Sequence, residues 1–258
     1  MCELLGMSAN VPTDICFSFS GLMQRGGATG PHKDGWGIAF YEDRGCRAFH
    51  DPTPSANSPL AQLVSQWPIK SDVVISHIRQ ANVGRVSLEN TQPYQRELWG
   101  RPWTVAHNGQ IPEVLTWQLG GFTPIGTSDS EHAACWLLGQ LRLVFVNRPS
   151  TAELAHFFKS RCDELAKLGV FNLLASDGDE LICYCTTKLH WITRRAPFGE
   201  AKLSDADLQI DFGTETTPND VVSVVATQPL TSNEVWHALA PNQLVVFKHG
   251  ELVFQSQN

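Results

Sequence analysis

Apolar positions near the start of the chain repeat at the interval of a helix. Between positions 11 and 27 they recur three or four residues apart, which predicts a helix. Thr13 or Asp14 would cap its start, and Gly26-Gly27 would end it. The same kind of spacing predicts two further helices, at 127–141 and 151–168.

Most other apolar runs are short and rich in β-branched and aromatic residues, which is typical of strands. Residues 35–49 predict a hairpin with its turn near Asp43-Arg44-Gly45. The stretch 196–219 is polar and predicts an excursion on the surface. Helices inserted among strands that are mainly joined as antiparallel hairpins indicate an α+β protein. The other predicted strand segments are 71–79, 101–109, 170–187, 221–230 and 242–255.

The overall composition narrows the classes of function. With 258 residues and no break in composition, the chain is expected to form one domain, 1–258, with a sizeable core. Its formal net charge of −7 argues against nucleic acid as a partner. The sequence has neither a signal-peptide pattern nor an apolar run long enough to span a membrane. We therefore expect no membrane association and a cytoplasmic location.

The seven cysteines are an odd number scattered along the chain, which is typical of reduced thiols rather than of a disulfide framework. Cys183 and Cys185 are separated by one residue, so a strand would place both on the same face. No second pair lies at the spacing of a zinc site. We predict no metal and no other cofactor.

Cys2 is the most unusual of these cysteines, because only the initiator Met1 precedes it. A cysteine more often packs in a core as a small apolar residue. Removal of Met1 would instead give Cys2 a free α-amine beside its thiol, and one residue would then carry both a nucleophile and a base. The rest of the sequence has to decide between the two interpretations.

Polar residues cluster at three places where predicted strands end or a helix begins. Arg79 follows one strand, and its guanidinium suits either a substrate carboxylate or an ordinary ion pair. Asn108 and Gly109 end another strand, where they could form an oxyanion hole or only a tight turn. Asp129 lies inside the capping box SDSE, so it is either a first-turn carboxylate of the helix, a ligand for a substrate ammonium, or both.

A fourth polar segment, GPHKDGWG, precedes the first hairpin. Its Asp34-Gly35 pair predicts a turn. Three histidines lie next to the polar clusters, and such residues more often support a strand end through hydrogen bonds than bind a ligand. They are His32, His77 and His107.

The polar clusters occur along the chain in a recognisable order: Cys2, then the H-x-R of SHIR, then HNG at 107–109, then SDSE at 128–131. In this order they resemble the glutaminase domain of the class II glutamine amidotransferases, which are N-terminal-nucleophile hydrolases. The motifs cover roughly residues 2–135. The later hairpins and the segment ATQPLT resemble the stand-alone, YafJ-like members, which end without a synthase domain. The resemblance implies a four-layer αββα sandwich, with two mostly antiparallel sheets between layers of helices.

The resemblance also implies the catalytic groups. Cys2 would be the nucleophile, and the Asn108 side chain and the Gly109 N–H would form the oxyanion hole. The thiolate would attack the γ-carbonyl of glutamine or of a γ-glutamyl amide, ammonia or an amine would leave, and water would release glutamate from the thioester. An ordinary thiol has a pKa near ~8.5 and an α-amine near ~7.7–8.0, so the amine is matched to take the thiol proton. A peptide nitrogen cannot take it, so we expect removal of Met1 on maturation.

The substrate-binding residues follow from the same resemblance. Arg79 would hold the α-carboxylate, Asp129 would bind the α-ammonium, and His77 and Gly109 are placed with them. Glutaminase domains often read HTRWATHG where this chain reads HIRQANVG. Asn82-Val83 therefore replace a Thr-His pair, in the form typical of the stand-alone members.

Three alternatives stay open. The enzyme could hydrolyse a γ-glutamyl peptide or conjugate, since only the leaving group differs, or it could pass ammonia to a separate synthase partner. The chain could also be a non-catalytic module that binds glutamine or glutamate, and Cys2→Ala would separate this case because only an enzyme would lose product formation. A papain-like protease fits poorly, because its signature around the nucleophile is missing.

Overall fold

The computed structural model describes residues 2–81, 85–214 and 217–257. The departure from the family pattern at Asn82-Val83 lies outside them. The described residues form the helices α1 (Cys16–Gln24), α2 (Pro59–Gln66), α3 (Asp129–Val144) and α4 (Thr151–Ala166). They also form the strands β1 (Glu3–Thr13), β2 (Trp36–Glu42), β3 (Gly45–Asp51), β4 (Ser71–Ile78), β5 (Tyr94–Leu98), β6 (Arg101–Gln110), β7 (Val170–Ser176), β8 (Glu180–Cys185), β9 (His190–Arg195), β10 (Glu200–Lys202), β11 (Gln209–Asp211), β12 (Val221–Ala226), β13 (His237–Ala238), β14 (Gln243–Lys248) and β15 (Glu251–Gln255).

Most of these strands belong to two large sheets. The seven-stranded sheet has the order β13-β9-β12-β1-β4-β2-β3, and the six-stranded sheet has the order β15-β14-β8-β7-β6-β5. Neighbouring strands in both sheets run antiparallel. In the centre of the first sheet, Glu3 of β1 pairs with Ile78 of β4. This register brings Cys2 beside Arg79.

Three apolar layers separate four layers of structure. The first lies between the outer face of the seven-stranded sheet and α1 and α2, and includes Phe19 and Val64. The second joins the outer face of the six-stranded sheet to α3 and α4, and includes Leu138 and Phe158. The third lies between the sheets. The chain is therefore an α+β sandwich with the layer order αββα, and the predicted fold class is confirmed.

The first predicted helix exists, but its predicted cap is wrong. Helix α1 begins at Cys16, with Ile15 in the N-cap position and no side-chain cap. Thr13 is still the last residue of β1. The Asp14 carboxylate accepts a hydrogen bond of 3.2 Å from the Cys16 N–H, so it satisfies one amide at the helix start from one residue further back. The helix ends before the predicted Gly26-Gly27.

The other predicted elements mostly match the structure. The hairpin at 35–49 is β2 and β3, with a positive φ at Asp43 in its turn. The predicted helices 127–141 and 151–168 are α3 and α4. Cys183 and Cys185 face the space between the sheets together. The predicted strand segments contain β4, β6, β7, β8, β12, β14 and β15.

The stretch 196–219 is more than the surface excursion that its polarity predicts. It forms the separate pair β10–β11. Ala201 and Leu203 are buried there against Phe17 of α1. The sequence pattern does not reveal this small apolar core, because isolated apolar residues face inward between polar ones.

None of the helices within the described ranges combines the length and the apolar character that a membrane crossing requires.

Candidate active site

A small polar cavity lies at one end of the sandwich, where the two sheets meet the start of α3. Its volume is about 20 Å³, room for roughly one water molecule. Its lining combines a thiol, a guanidinium, a carboxylate and several amides. The lining residues are Cys2, Arg79, Gln80, Ala81, Gln92, Gly109, Gln110, Ser128, Asp129 and Ser130.

Cys2 is buried, with 8% of its surface exposed, and its sulfur lies against the backbone that follows β4. Sγ accepts a hydrogen bond of 3.3 Å from the Gln80 N–H and lies 3.5 Å from the Gln80 carbonyl oxygen. Burial raises the pKa of the thiol, while the Gln80 hydrogen bond and the charge of Arg79 oppose this rise. The sulfur is therefore a neutral thiol near pH 7, and it needs a base before it can act as a nucleophile.

Arg79 continues β4 on the side that faces the second sheet, because Val73 and Ile75 point into the layer between the sheets and alternate residues share a face. Its backbone N–H donates to the Gly35 carbonyl at 2.8 Å. One guanidinium nitrogen donates to the Arg85 carbonyl at 2.9 Å. The side chain is 4% exposed, so the cation is held at the cavity wall.

Asp34 fixes the same segment from the other side. Its N–H donates to the Arg79 carbonyl at 3.1 Å, and its carboxylate accepts from the Ala81 N–H at 2.7 Å. Gly35 has a φ of +115°, the left-handed region that favours glycine. The predicted Asp34-Gly35 turn thus serves to hold the backbone on both sides of Gln80.

Asn108 and Gly109 lie inside β6, so the interpretation of HNG as a tight turn is wrong. They pair with Asn172 and Phe171 of β7. A Cβ atom at Gly109 would lie 1.7 Å from the Val170 carbonyl oxygen. Glycine is required here because the neighbouring strand approaches too closely for any side chain.

The Asn108 side chain is buried, and neither its oxygen nor its nitrogen has a hydrogen-bond partner among the described residues. Its backbone is held, because the Asn172 amide donates to the Asn108 carbonyl at 3.1 Å. An unpaired buried amide costs about 1–3 kcal/mol, so such a group in a folded protein calls for an explanation. A ligand that accepts a hydrogen bond would provide one.

His107 joins β6 to α3. Its Nδ1 lies 2.8 Å from the Ser130 hydroxyl, and its Nε2 lies 3.2 Å from the Val170 carbonyl. A carbonyl only accepts, so Nε2 carries the proton and the Ser130 hydroxyl donates to Nδ1. Burial lowers the pKa of His107, while the charge of Asp129 opposes this. The imidazole is a neutral support, as the sequence indicated.

Asp129 is the first residue of α3, and its carboxylate is fixed by two backbone amides. It accepts from the Ile111 N–H at 2.8 Å and from the Ser130 N–H at 2.9 Å. Ser128 caps the helix by accepting from the Glu131 N–H. Glu131 does not complete the predicted capping box, because its carboxylate accepts from the amides of residues 125 and 126 instead.

His77 is fully buried on the same side of β4 as Arg79. Neither ring nitrogen makes a hydrogen bond of good geometry within the described part of the chain, although the His107 backbone lies near enough to raise the pKa slightly. Burial lowers the pKa of His77 far below its ordinary value, and the neighbouring His107 and Arg79 lower it further. A contact with substrate is not visible, because His77 is not part of the cavity lining.

Comparison with known proteins decides the family. A family profile described as "Glutamine amidotransferases class-II" matches residues 1–258. The chain belongs to the class II glutamine amidotransferases.

Two named relatives from bacteria cover nearly the whole chain. It is 60% identical to YafJ of Escherichia coli K12, which carries a glutamine amidotransferase name, over 98% of this chain and 100% of that one. It is 43% identical to a Haemophilus influenzae protein of similar name, over 98% of this chain and 86% of that one.

One solved structure supports the same family, and a second supports the same fold. A predicted glutamine amidotransferase from Pseudomonas aeruginosa PA01 is 53% identical, with a TM-score of 0.78, over 98% of this chain and all of that one. A glutamine phosphoribosylpyrophosphate amidotransferase from Bacillus subtilis is 15% identical, with a TM-score of 0.62, over 99% of this chain and 49% of that one. At that identity the likeness concerns the fold alone.

The structure brings together four of the six site residues that the resemblance to class II amidotransferases predicts. Cys2, Arg79, Gly109 and Asp129 line one cavity, whereas Asn108 and His77 lie outside its lining. The sequence analysis did not assign the polar residues Gln80, Gln92, Gln110, Ser128 and Ser130 of this lining to the site. The last two were visible as the SDSE cap, but nothing in the pattern marked Gln92.

Two further observations concern a second cavity and metal binding. A larger cavity of about 380 Å³ lies between α1, the end of β1 and the 196–219 stretch, and none of the six predicted site residues lines it. The described residues contain no group of three or more His, Cys, Asp or Glu side chains that could hold a metal ion.

Proposed function

We propose that this protein hydrolyses the γ-amide of glutamine or of a γ-glutamyl compound, with Cys2 as the nucleophile and residues 1–258 as one amidotransferase domain. One observation carries the proposal: a buried thiol shares a cavity with one buried guanidinium and one buried carboxylate. The charges of this set match those of a free amino acid, which carries one negative and one positive charge at its α-carbon.

The two charged side chains form a clamp of opposite signs. The Arg79 guanidinium can hold an α-carboxylate through paired N–H donors, while the Asp129 carboxylate can accept from an α-ammonium. Asp129 is fixed at the start of α3 by two amides, so its orientation is set before a substrate arrives. A γ-carbonyl held in this way would extend toward Cys2.

The oxyanion hole would come from β6. Asn108 offers an amide nitrogen that has no partner among the described residues. Successive backbone N–H groups of a strand point to opposite edges, so the Gly109 N–H points to the same edge as the His107 N–H. That edge of β6 pairs with β5 as far as Val105, which lies opposite Tyr94, the first residue of β5. Beyond Val105 the same edge faces the cavity. Two such donors would stabilise the tetrahedral oxyanion.

The base would be the α-amine of Cys2 itself. Burial raises the thiol pKa, so the thiolate is scarce without help near pH 7. A neutral amine two bonds from Cβ can take the thiol proton and later return it to the leaving ammonia or amine. Removal of Met1 creates this amine, and we therefore propose that the chain is active only in the trimmed form.

The test compares the trimmed and the intact protein, with the N-terminus of each established by mass spectrometry. We expect trimmed protein to release glutamate from glutamine or from a γ-glutamyl amide such as glutathione, and intact protein to be inactive. Cys2→Ser is the matched nucleophile control, and Cys16→Ser is a control at a cysteine outside the cavity. Equal rates from trimmed and intact protein would refute the role of the amine.

The same preparations separate the enzyme from a non-catalytic binding module. A trimmed protein that binds glutamate or glutamine in calorimetry but releases no product from any γ-glutamyl amide would be a binding module. Release of ammonia at a rate that no added acceptor increases would indicate a stand-alone hydrolase. Transfer of the ammonia to the substrate of an added synthase would indicate a transferase.

A further inference from the structure

Gln92 is a cavity residue that makes two hydrogen bonds to the strand carrying Asn108 and Gly109. Its side-chain oxygen accepts from the His107 N–H at 2.6 Å, and its side-chain nitrogen donates to the His107 carbonyl at 3.1 Å. Gln92 is 3% exposed, so water does not compete for these groups. The side-chain amide pairs with His107 as a backbone peptide would.

The register of the sheet explains this arrangement. Tyr94 pairs with Val105, so an antiparallel ladder continued by two residues would place position 92 opposite His107. Strand β5 begins only at Tyr94, and the Gln92 side chain replaces the missing backbone pair. The ladder is thereby extended to the residue that directly precedes Asn108.

The backbone of Gln92 meets the other sheet. A Cβ at Gly37 of β2 would lie 2.3 Å from the Gln92 carbonyl oxygen. One residue thus contacts β2 with its backbone and β6 with its side chain, at the end of the sandwich where the cavity lies. This joins the sheet that carries Cys2 and Arg79 to the strand that carries Asn108 and Gly109.

We propose that Gln92 is a positioning residue, which sets the distance between the Cys2 sulfur and the oxyanion donors of β6. The inference rests on the proposed function. It follows because the Gly109 N–H points to the same strand edge as the His107 N–H that Gln92 holds. Without the Gln92 amide, this edge of β6 loses its last pair and the donors lose their fixed place relative to the sulfur.

The first test replaces the amide by an apolar chain of similar length, Gln92→Met, in trimmed protein. We expect kcat with glutamine to fall about 10- to 100-fold while KM changes less than about threefold, because a displacement near 1 Å is costly to the reaction step. Tyr41→Phe is the matched control. The Tyr41 hydroxyl joins the sheets at the other end of β6 through Pro102, Thr104 and Ser176. This control should lower the melting temperature and leave kcat unchanged.

The second test uses Gln92→Glu. A protonated carboxyl presents one acceptor and one donor, as the amide does, whereas an ionised carboxylate has no donor for the His107 carbonyl. We expect the ratio of variant to wild-type kcat to be near one at low pH and to fall as pH rises through the pKa of the introduced carboxyl. The titratable and charged groups around this position are the same in wild type and in Gln92→Glu, so their own titration affects both rates. They are Cys2, Asp34, His50, His77, Arg79, His107 and Asp129.

The outcomes separate this inference from the proposed function. A ratio that stays near one at a pH where the introduced carboxyl is ionised by direct titration, or a Gln92→Met variant with wild-type kcat, would overturn the positioning role. If trimmed wild type releases glutamate from no γ-glutamyl amide, the proposed function fails, and amide hydrogen exchange then decides the inference. Gln92→Met must lose protection at His107 while Tyr41→Phe keeps it, and unchanged protection at His107 would refute the contact.

Discussion

Gly109→Ala is the substitution whose effect follows most directly from the geometry. The added Cβ would lie 1.7 Å from the Val170 carbonyl oxygen and 2.6 Å from the His107 Nε2. Real Cβ contacts are not shorter than 3.0 Å, so β6 and β7 would have to separate by the difference, about 1.3 Å. The clash involves a backbone carbonyl, which cannot rotate away as a side chain can.

The displaced segment carries both proposed oxyanion donors. A shift of this size would remove the Gly109 N–H from its place, and loss of one such donor costs about 100- to 1,000-fold in kcat. The strands would also lose pairing at Gln110 and Val170, so the melting temperature should fall by several degrees for a loss of about 1–2 kcal/mol. We expect kcat to fall at least about 100-fold at a temperature where the variant is folded.

The assay is glutamate release by trimmed protein, measured beside circular dichroism of the same sample. Gly45→Ala is the control, because a Cβ there would meet only the Glu42 carbonyl at 3.5 Å, an ordinary contact. It should keep wild-type kcat. A Gly109→Ala protein with kcat within threefold of wild type would show that the donors of β6 do not serve the reaction.

Three other substitutions test separate parts of the site. Asn108→Ala should lower kcat about 100- to 1,000-fold, because it removes one oxyanion donor. The melting temperature should hardly change, because the Asn108 amide has no partner among the described residues, and a large loss of stability would contradict this. Asp129→Asn should raise KM for glutamine about 10-fold or more through the lost charge, and an unchanged KM would refute the ammonium contact. When the pH is lowered from 7 to 5, the melting temperature of His77→Phe should fall less than that of wild type. Burial lowers the pKa of His77 in the folded state, so its imidazole stays neutral there while the unfolded chain takes up a proton below its pKa of ~6.5. The free energy of unfolding therefore falls by about 1.4 kcal/mol per pH unit below that pKa. A wild-type pH profile of melting in this variant would show that His77 is not the group responsible.

The sequence predicted the elements that have a clear inside and outside. Helix α4 follows the pattern that one buried face imposes, and the β2–β3 hairpin was marked by its turn at Asp43. Strand β1 gave no such pattern, because its first seven residues are buried on both faces. Helix α2 was missed because it is short and buries only Ala61 and Val64.

The site was predicted as residue types and not as geometry. Local pattern could not choose between an oxyanion hole and a tight turn at HNG, because Asn-Gly is a common turn pair and also offers two donors. The close approach of Val170 that demands Gly109 comes from residue 170. Gln92 was missed for the same reason. Its partner His107 is 15 positions away, and a glutamine before a proline carries no signal of a sheet pair.

The burial of Cys2 changes how its reactivity must be understood. A thiol that depended on its own acidity would be weakened here, because desolvation raises its pKa more than Arg79 and Gln80 lower it. The same burial excludes bulk water and strengthens the effect of any charge or donor near the sulfur. A base carried by the nucleophilic residue itself needs no second side chain in a cavity of about 20 Å³. The α-amine of Cys2 meets that condition, and this is why the state of Met1 should determine whether the site is active.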